Sequence, residues 1–481
     1  MLTGLLLGAG ASYDVGMPLV WELTSELKAW LTPEKLRDLN KSWRADGHGY
    51  PDEVIDSLAS VLEIPSMHYE SILGFLEASY RRDHANTQAY HGLYSWLVEM
   101  VYWVFYLRHT NNSTYIQNSI RYLEGIVHLA QENTPLWIFS LNHDLMIECL
   151  AAQHHLQLSS GFSTSVVTLP RRNAQGAKIG ELRAEVITGE HLEKFGMPFL
   201  RSGSKGINLL KIHGSLDVFT FRDGNDLLKL LPVEQSLAGV LETLRAANNE
   251  LLYIHECAPE KPIKTTNEIA YADDTGEMNF LRRTLLAGAF KFDSRRPQVL
   301  PVHLLRHFHS NINTLDRLIS IGYSFGDIHI NQVIRDWLEH SVTRQLEIVD
   351  PGITSIPAPL SHLAPQISLS KSTATDYLDK VGRIVRSKKD LLEYQLGTWI
   401  RRHTGGVGVA NNAFEAFLEQ YRKNRFSTLI EKLKTLPFRD GDIDIDALGI
   451  TQQDLIEQLS GDLWTAHDAI EAFLMAQDSK T

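Results

Sequence analysis

The sequence predicts an α/β fold built on a parallel sheet. Five short apolar runs lack the alternation of polar and apolar residues, which is typical of strands covered on both faces. Most of these runs are separated by stretches with helical spacing, the pattern of strands joined by helical crossovers. The runs lie at residues 5–7, 136–141, 207–212, 317–321 and 346–349.

Composition places the chain among ordinary globular proteins. Its 481 residues suffice for two or three domains, and 43% are hydrophobic and 22% charged. The net charge of -12 argues against a broad phosphate-binding face, so we expect no direct nucleic-acid binding. Two cysteines cannot build a disulfide framework or a four-cysteine zinc ribbon, and they suit a reducing cytosol. The longest apolar stretch, 97–107, is too short to span a bilayer, and no cleavable signal fits before the first strand, so we expect a soluble cytoplasmic protein.

The first strand runs directly into the glycine-rich turn Gly8-Ala9-Gly10-Ala11-Ser12. Helical periodicity then follows through Leu19, Leu23, Leu27 and Trp30. A strand, a glycine turn and a helix N-terminus together favour a bound phosphate. The third glycine of the dinucleotide fingerprint is absent, since Tyr13 stands there, so a simple tight turn is an equal alternative. Ser12 is either an anion ligand or a helix N-cap.

Residues 31–133 are mostly helical by their apolar spacing. Such a long helical stretch between the first and second strands predicts an inserted helical subdomain that covers the site.

Polar residues follow the second and third strands. Asn142 and Asp144 come directly after the run 136–141, and His213 ends the run 207–212 before Gly214. The carboxyl ends of strands in an open α/β sheet face the ligand crevice, so these three are candidate site residues. The alternatives are a turn for Asn142, a helix cap for Asp144 and a structural role for His213.

The fourth and fifth strands end in similar signals. Gly322 and Ser324 form a glycine-serine turn before a helix that starts near His329. Asp350 ends the fifth strand, where a carboxylate is the usual partner of ribose hydroxyls. The alternative is a turn residue before Pro351.

The remaining segments carry weaker patterns. Residues 159–206 are loop-like with short strand patterns, and 251–254 is a candidate strand within an otherwise weak region. His303 and His307 share a helix face without an intervening carboxylate in the zinc-protease position, so no metal is expected. Beyond residue 388 the pattern is again helical, which predicts a small C-terminal helical domain for contact with a partner or a second copy.

Taken together, these motifs resemble those of the sirtuin superfamily, and more closely its bacterial Sir2-like branch. The glycine turn with Gly16-Met17-Pro18 resembles the family's nucleotide loop, and Asn142-His143-Asp144 its Asn-x-Asp motif. His213-Gly214 resembles the catalytic histidine motif, and Gly322-Tyr323-Ser324 the turn that holds the adenosine side of NAD. The resemblance implies a Rossmann-like, Sir2-like domain over residues 1–385, with 31–133 inserted, and a helical domain over 386–481.

Three departures distinguish the chain from deacylating sirtuins. Those enzymes carry Asp-Phe-Arg where this chain has Leu19-Val20-Trp21, a glutamine where it has Leu141, and a four-cysteine zinc ribbon. The departures are similar to those of Sir2-like effectors of bacterial antiphage defence, which deplete NAD once infection is sensed.

The resemblance thus implies an NAD⁺ glycohydrolase that is activated by a trigger, a homo-oligomer or a partner protein such as a defence ATPase, an Argonaute-like protein or a phage component. Asn142 and His213 would be catalytic, and NAD would be the substrate. Two alternatives remain open: a protein deacylase or ADP-ribosyltransferase, and a module that senses NAD or ADP-ribose without turnover. The residues expected to bind NAD are Gly8, Ala9, Gly10, Ser12, Asp144, Gly322, Ser324 and Asp350.

Overall fold

The structure is a computed structural model that divides into two compact units, Met1–Arg383 and Ile384–Thr481. It describes residues 2–387, apart from 223, 225, 256, 259–260, 287, 289–290, 292–299 and 301. Further along it describes residues 390, 391, 394, 398 and 401, and 427–458 with short gaps. Most of the predicted C-terminal helical domain therefore lies outside the described residues.

The first unit contains thirteen strands among its described residues. They are β1 (Thr3–Leu7), β2 (Leu136–Ser140), β3 (Leu158–Ser159), β4 (Ser165–Arg172), β5 (Lys178–Ile187), β6 (Ile207–Lys211), β7 (Val218–Phe221), β8 (Asp226–Leu231), β9 (Glu268–Ala272), β10 (Met278–Arg283), β11 (Arg317–Ile321), β12 (Gln345–Val349) and β13 (Ile367–Ser370).

Seven of these strands form a parallel sheet in the order β13-β12-β11-β1-β2-β6-β3. β1, β2 and β6 are buried along their whole length, because helices cover both faces of the sheet. The prediction of an α/β fold with a Rossmann-like parallel sheet is confirmed, and all five apolar runs form strands of this sheet. β1 lies between β11 and β2, so the order reverses beside it, which is where open α/β sheets form a ligand crevice.

Thirteen α-helices accompany the strands of the first unit among the described residues. They are α1 (Val20–Trp30), α2 (Pro33–Ala45), α3 (Asp52–Leu62), α4 (Tyr69–Arg82), α5 (Thr87–Thr110), α6 (Ser113–Ser119), α7 (Gly125–Glu132), α8 (Met146–Gln153), α9 (Gly189–Lys194), α10 (Leu237–Glu250), α11 (His303–Ile312), α12 (Ile328–His340) and α13 (Ala374–Gly382).

Helices α1 to α7 all lie between β1 and β2 in the chain. The connection between these two neighbouring strands therefore contains helices and no strand. None of the described helices is long and apolar enough to cross a membrane.

A second, antiparallel sheet corrects two expectations. Its order is β4-β5-β8-β7-β10-β9. β4 and β5 lie within 159–206, where the sequence predicts loops with only short strand patterns, because the outer residues of these strands are largely polar and exposed. Residues 251–254 are not a strand: Leu251 instead ends α10 and is buried against this sheet. A short apolar run does not by itself distinguish a strand from a helix end.

In the second unit, the described part includes a two-stranded pairing of Phe438–Arg439 with Asp442–Ile443 and a helical turn at Ile445–Leu448. Leu429, Leu433, Ile443 and Leu455 form a small apolar cluster.

Candidate functional site

A cavity of about 670 Å³ lies at the carboxyl ends of five neighbouring strands. The residues that follow β12, β11, β1, β2 and β6 all contribute to its wall. All but one of the candidate site residues line it, namely Gly8, Ala9, Gly10, Asn142, Asp144, His213, Gly322, Ser324 and Asp350. Sheet topology thus brings together segments that are as far apart in the chain as residues 8 and 350.

The glycines let two strand ends approach each other closely. A Cβ at Gly8 would lie 2.5 Å from the Gly322 carbonyl oxygen, and one at Gly10 would lie 2.7 Å from Gly322 Cα. Gly322 itself has a φ of +63°, and a Cβ there would lie 2.4 Å from Gly10 Cα. Any side chain at these three positions would collide with backbone, so the floor of the cavity requires glycine.

The backbone amides of this turn differ from the expected phosphate cradle. Gly8 N donates to the Ile321 carbonyl and Gly10 N to the Gly322 carbonyl, each at 3.0 Å, while Ala11 N donates to the Gly8 carbonyl. The turn continues as a single 3₁₀ turn at Ala9–Ser12, and α1 begins only at Val20. Three amides of the turn are therefore occupied by protein carbonyls, and the α1 N-terminus does not directly follow the glycines as expected.

Ser12 is the exception among the candidate residues. It is buried and does not line the cavity; its hydroxyl accepts a hydrogen bond from Asn142 Nδ2 at 3.1 Å. The same Nδ2 donates to the Gly8 carbonyl at 2.9 Å. The Asn142 amide thus joins the ends of β1 and β2, and Ser12 supports Asn142 instead of facing a ligand.

The loop 142–145 is held by several buried hydrogen bonds. Asp144 Oδ1 accepts from the amide of Met146, the first residue of α8, at 3.1 Å, while Asp144 also lines the cavity. The predicted helix cap is wrong in position, since Leu145 is the N-cap. Lys211 Nζ donates to the carbonyls of Asn142, at 3.3 Å, and of Asp144. Leu145 N donates to His109 Nε2 at 3.0 Å, which requires neutral imidazole with its proton on Nδ1. Burial lowers the pKa of His109 and favours this form.

His213 and His143 are both buried and both line the cavity. Burial, reinforced by the nearby Lys291 ammonium, holds the pKa of His213 well below its ordinary value. The same two causes lower the pKa of His143 to about 3. Both imidazoles are therefore neutral near pH 7. Gly214 has a φ of +86°, and a Cβ there would lie 2.1 Å from the Thr284 carbonyl, so glycine is needed after His213.

Lys291 forms a charged bridge across the cavity. Its Nζ lies 2.7 Å from Glu70 Oε1 and 3.4 Å from Asp327 Oδ1. Glu70 belongs to α4, and Asp327 precedes α12. One buried ammonium group thus links the helical insertion to the loop that follows β11.

The turn after β11 is fixed by Tyr323, whose hydroxyl donates to Asn331 Oδ1 at 3.0 Å and accepts from Asp327 N at 3.1 Å. Ser324 is exposed beside it on the cavity wall. Asp350 Oδ1 accepts from Gly352 N at 2.7 Å, so Asp350 stabilises the turn that the alternative interpretation predicts. Asp350 also lines the cavity.

Sequence reasoning missed several residues of the cavity wall. His143 stands inside the Asn142-His143-Asp144 motif, so its place in that motif was an available signal. Lys291 and Glu70 carry no local signal, because each follows a segment without a site motif. Other wall residues that were missed include His68, Trp21, Asp327 and His329. Across the described part of the chain, no group of three His, Cys, Asp or Glu side chains is arranged to hold a metal ion.

The chain is thus an α/β protein whose main cavity opens at the carboxyl edge of a parallel sheet. No protein-family model and no curated protein matches it. Among solved structures, it is similar to a mutant Sir2 homologue in complex with ADP-ribose, at 14% identity and a TM-score of 0.35, with 79% of this chain and 90% of that chain covered.

A Sir2 homologue in complex with NAD is similar at 13% identity and a TM-score of 0.35, with 79% of this chain and 88% of that chain covered. A Sir2 structure with a bound propionylated peptide follows at 12% identity and a TM-score of 0.30, with 79% and 92% covered. Likeness at this level carries no argument about ligands or residue roles, so function is argued from the cavity itself.

Proposed function

We propose that the chain is an NAD⁺ glycohydrolase, which cleaves the bond between nicotinamide and ribose to give nicotinamide and ADP-ribose. The observation that carries the proposal is the single 670 Å³ cavity in which five strand ends present glycines, an amide, carboxylates and a neutral histidine. Its volume falls within the range of small-molecule and cofactor sites.

The residues present fit a dinucleotide. The side-chain-free surface at Gly8, Gly10 and Gly322 admits a flat or phosphate-bearing group against the backbone. Asp350 can accept hydrogen bonds from ribose hydroxyls of the adenosine half, next to Ser324. Lys291 supplies a positive charge at the wall, which suits a pyrophosphate, although Glu70 and Asp327 share it.

The reaction breaks the C–N glycosidic bond, and its electron pair returns to the pyridine nitrogen, so nicotinamide leaves as a neutral molecule without a general acid. Water forms the new C–O bond at the anomeric carbon and releases one proton. The site must hold the ribose and deliver water to one face of an oxocarbenium-like centre. Asn142 is the proposed positioning group for the ribose diol or the water, and Asp144 orients the nicotinamide amide or Asn142.

His213 is the proposed acceptor for a proton from water or a ribose hydroxyl. Because its pKa is held low, it is neutral and can accept a hydrogen bond from the start. The phosphates of NAD bring negative charge close to Lys291, which raises the pKa of His213 toward the range in which a general base works best.

Replacement of His213 tests the proposal directly. We expect His213→Ala to fold as the parent does and to lose about 10² to 10⁴ in the rate of nicotinamide release, since that is the usual contribution of general-base help. Asn142→Ala should lose activity as well, because it removes the group between β1 and β2 at the reaction centre. The matched control is His84→Ala, an exposed histidine of the helical insertion, which should retain full activity.

The assay measures nicotinamide and ADP-ribose by chromatography, with circular dichroism to verify folding. Full turnover by both variants would overturn the mechanism. Formation of O-acetyl-ADP-ribose or labelled protein would instead favour the deacylase or transferase alternative. Saturable NAD binding without nicotinamide release under every condition would favour the sensing alternative.

We propose further that the enzyme acts in the cytoplasm in bacterial antiphage defence and is held inactive until a trigger, a partner protein or self-assembly activates it. The support is the set of sequence departures from deacylating sirtuins and the toxicity of an unchecked NADase. The assay is therefore run with and without phage lysate and the products of neighbouring genes. Equal activity with and without them would exclude control by a trigger or partner.

A further inference from the structure

A second cavity, of about 310 Å³, lies between the two sheets of the first unit. Its walls come from α8, the edge strand β3, the antiparallel strands β5 and β8, and α10. None of its lining residues lines the first cavity.

One part of the second cavity is hydrocarbon, with walls formed by Leu145, Ala151, Leu156, Leu230, Val240 and Leu244. The other part is charged and contains three carboxylates, those of Glu148, Asp217 and Glu185, with the ammonium group of Lys229. The cavity therefore has the mixed character of a small-molecule site, in which an apolar wall holds the body of a ligand and a few polar groups orient it.

A buried network joins Lys229, Asp217, Glu148 and the neighbouring Lys211. The half-buried Glu185 lies outside it, and its Oε1 accepts from Ser163 Oγ at 2.9 Å. Lys229 Nζ contacts Asp217 Oδ2 and lies 3.2 Å from Glu148 Oε1. Glu148 Oε2 lies 3.6 Å from Lys211 Nζ and accepts no hydrogen bond from the described residues. The Glu148 side chain is only 6% exposed, so this oxygen is buried with unused acceptor capacity. A buried carboxylate oxygen in this condition is stabilised by any ligand that brings an N–H donor.

Charge balance specifies the kind of donor. Lys211 and Lys229 compensate Glu148 and Asp217, while Glu185 has no ion pair among the described residues, which leaves an excess of one negative charge at the polar end. We propose that this cavity binds a primary amine with one positive charge and a hydrocarbon tail, and that the bound amine acts on the first cavity through Lys211. The action on the first cavity rests on the function proposed above, whereas the binding of the amine does not.

Lys211 provides the connection between the two cavities. Its ammonium group donates to the carbonyls of Asn142 and Asp144 in the wall of the first cavity, and it faces Glu148 of the second. An amine on Glu148 competes with Lys211 for that carboxylate. When the amine takes over Glu148, the ion pair between Lys211 and Glu148 weakens. The hydrogen bonds from Lys211 to the carbonyls of the loop 142–145 then strengthen or rearrange.

Binding is tested by calorimetric titration with n-hexylamine hydrochloride, 1-hexanol and sodium hexanoate. We expect hexylamine to bind at least about tenfold more tightly than the neutral and anionic probes, because only the ammonium group pairs with the excess carboxylate. Equal binding of hexanol, or no hexylamine binding at millimolar concentration, would overturn the proposal.

Two variants locate the site. Glu148→Gln should weaken hexylamine binding at least about tenfold, and Val240→Trp should abolish it by filling the apolar part. Val240→Trp leaves the charged network in place, so it keeps the test valid if Glu148→Gln is poorly folded. The control Glu132→Gln removes the same charge at an exposed position on α7 and should bind as the parent does. Unchanged binding by Val240→Trp would place the amine elsewhere and overturn the assignment.

Coupling is read by hydrogen exchange at the amides of Asn142 and Met146, which donate to Ser140 Oγ and Asp144 Oδ1 and whose residues do not line the second cavity. Hexylamine should change their exchange rates in the parent and not in Lys211→Met. Equal rates with and without hexylamine would overturn the coupling. These readouts need no NAD turnover, so a failure of the proposed NADase activity and a failure of this inference are told apart.

Discussion

Single atoms at three glycines decide whether the main cavity can form. Gly8 and Gly10 after β1 meet Gly322 after β11 backbone to backbone, with no room for a methyl group between them. A side chain here would separate the ends of β1 and β11, and with them the two halves of the cavity wall.

Gly10→Ala is therefore expected to lower the free energy of unfolding by about 1–3 kcal/mol, the usual cost of overpacking. It should also weaken NAD binding, because the added Cβ would lie 2.7 Å from Gly322 Cα and force the two strand ends apart. Urea unfolding and calorimetric titration with NAD measure the two effects.

The matched control is Gly180→Ala on β5, where a Cβ would have its nearest contact at 3.8 Å, with the Arg171 side chain. It should change neither quantity measurably. Retention of parental stability and NAD binding by Gly10→Ala would show that the two strand ends tolerate separation.

At this scale the sequence predicts positions better than roles. Asn142, Asp144 and His213 reach the cavity because a residue that follows a parallel strand always emerges at the same edge of the sheet. Ser12 follows a strand too, yet its hydroxyl points to Asn142, since the 3₁₀ turn rotates it inward. Lys291 could not be predicted, because its place in the site depends on tertiary contacts with Glu70 and Asp327.

Among the elements, α5 and α1 are joined by a fully buried ion pair that also holds the cavity rim. Arg108 on α5 lies 3.7 Å from Glu22 and 3.9 Å from Glu26, both on α1, and donates to the Gly16 carbonyl at 3.2 Å. Gly16 directly precedes Met17 and Pro18, which line the cavity. One guanidinium group thus links α5 to α1 and to the backbone at the cavity rim.

Arg108→Met should lower the free energy of unfolding by about 3–5 kcal/mol, because it removes the buried cation that faces Glu22 and Glu26. Thermal and urea unfolding measure the loss. Arg37→Met provides the comparison, because it breaks an exposed ion pair in which Arg37 Nε lies 2.9 Å from Asp56 Oδ1. It should lower the free energy of unfolding by about 1 kcal/mol or less. Equal costs for the two variants would contradict the assigned role of Arg108.

The strands of the parallel sheet could be predicted because a strand that is buried on both faces has a continuous apolar sequence, such as Leu5-Leu6-Leu7. The antiparallel sheet leaves no such run. In β5, exposed Lys178 and Ile179 precede the buried positions, so polar and apolar residues are mixed and the segment shows no continuous apolar run. Its pairing with β4 and β8 is set by contacts across the chain and not by local pattern.

For the whole molecule, buried neutral histidines make stability depend on pH. Burial lowers the pKa of His109, His143 and His213, whereas the unfolded chain binds their protons near pH 6.5. Their contribution to stability is therefore complete above about pH 6.5 and is lost as the pH falls below it. For His143, the loss continues down to about pH 3.

We expect the parent protein to lose stability between pH 7 and pH 5, with each of these histidines contributing a slope of about 1.4 kcal/mol per pH unit below pH 6.5. His143→Gln should flatten the dependence by one such slope, measured by urea unfolding at several pH values. The exposed His84→Gln should leave it unchanged. A parental slope in His143→Gln would mean that this imidazole is protonated in the folded state.

The central position of β1 has a consequence for synthesis of the protein. Among the strands of this sheet, β1 is translated before the others, but its neighbour β11 begins at Arg317, and Asp350 follows later still. A nascent chain cannot assemble the proposed NAD site until nearly the whole first unit has been translated. Chains that end before Asp350 therefore lack the proposed site, and under the proposed function they cannot consume the cell's NAD, a safeguard that arises from strand order alone.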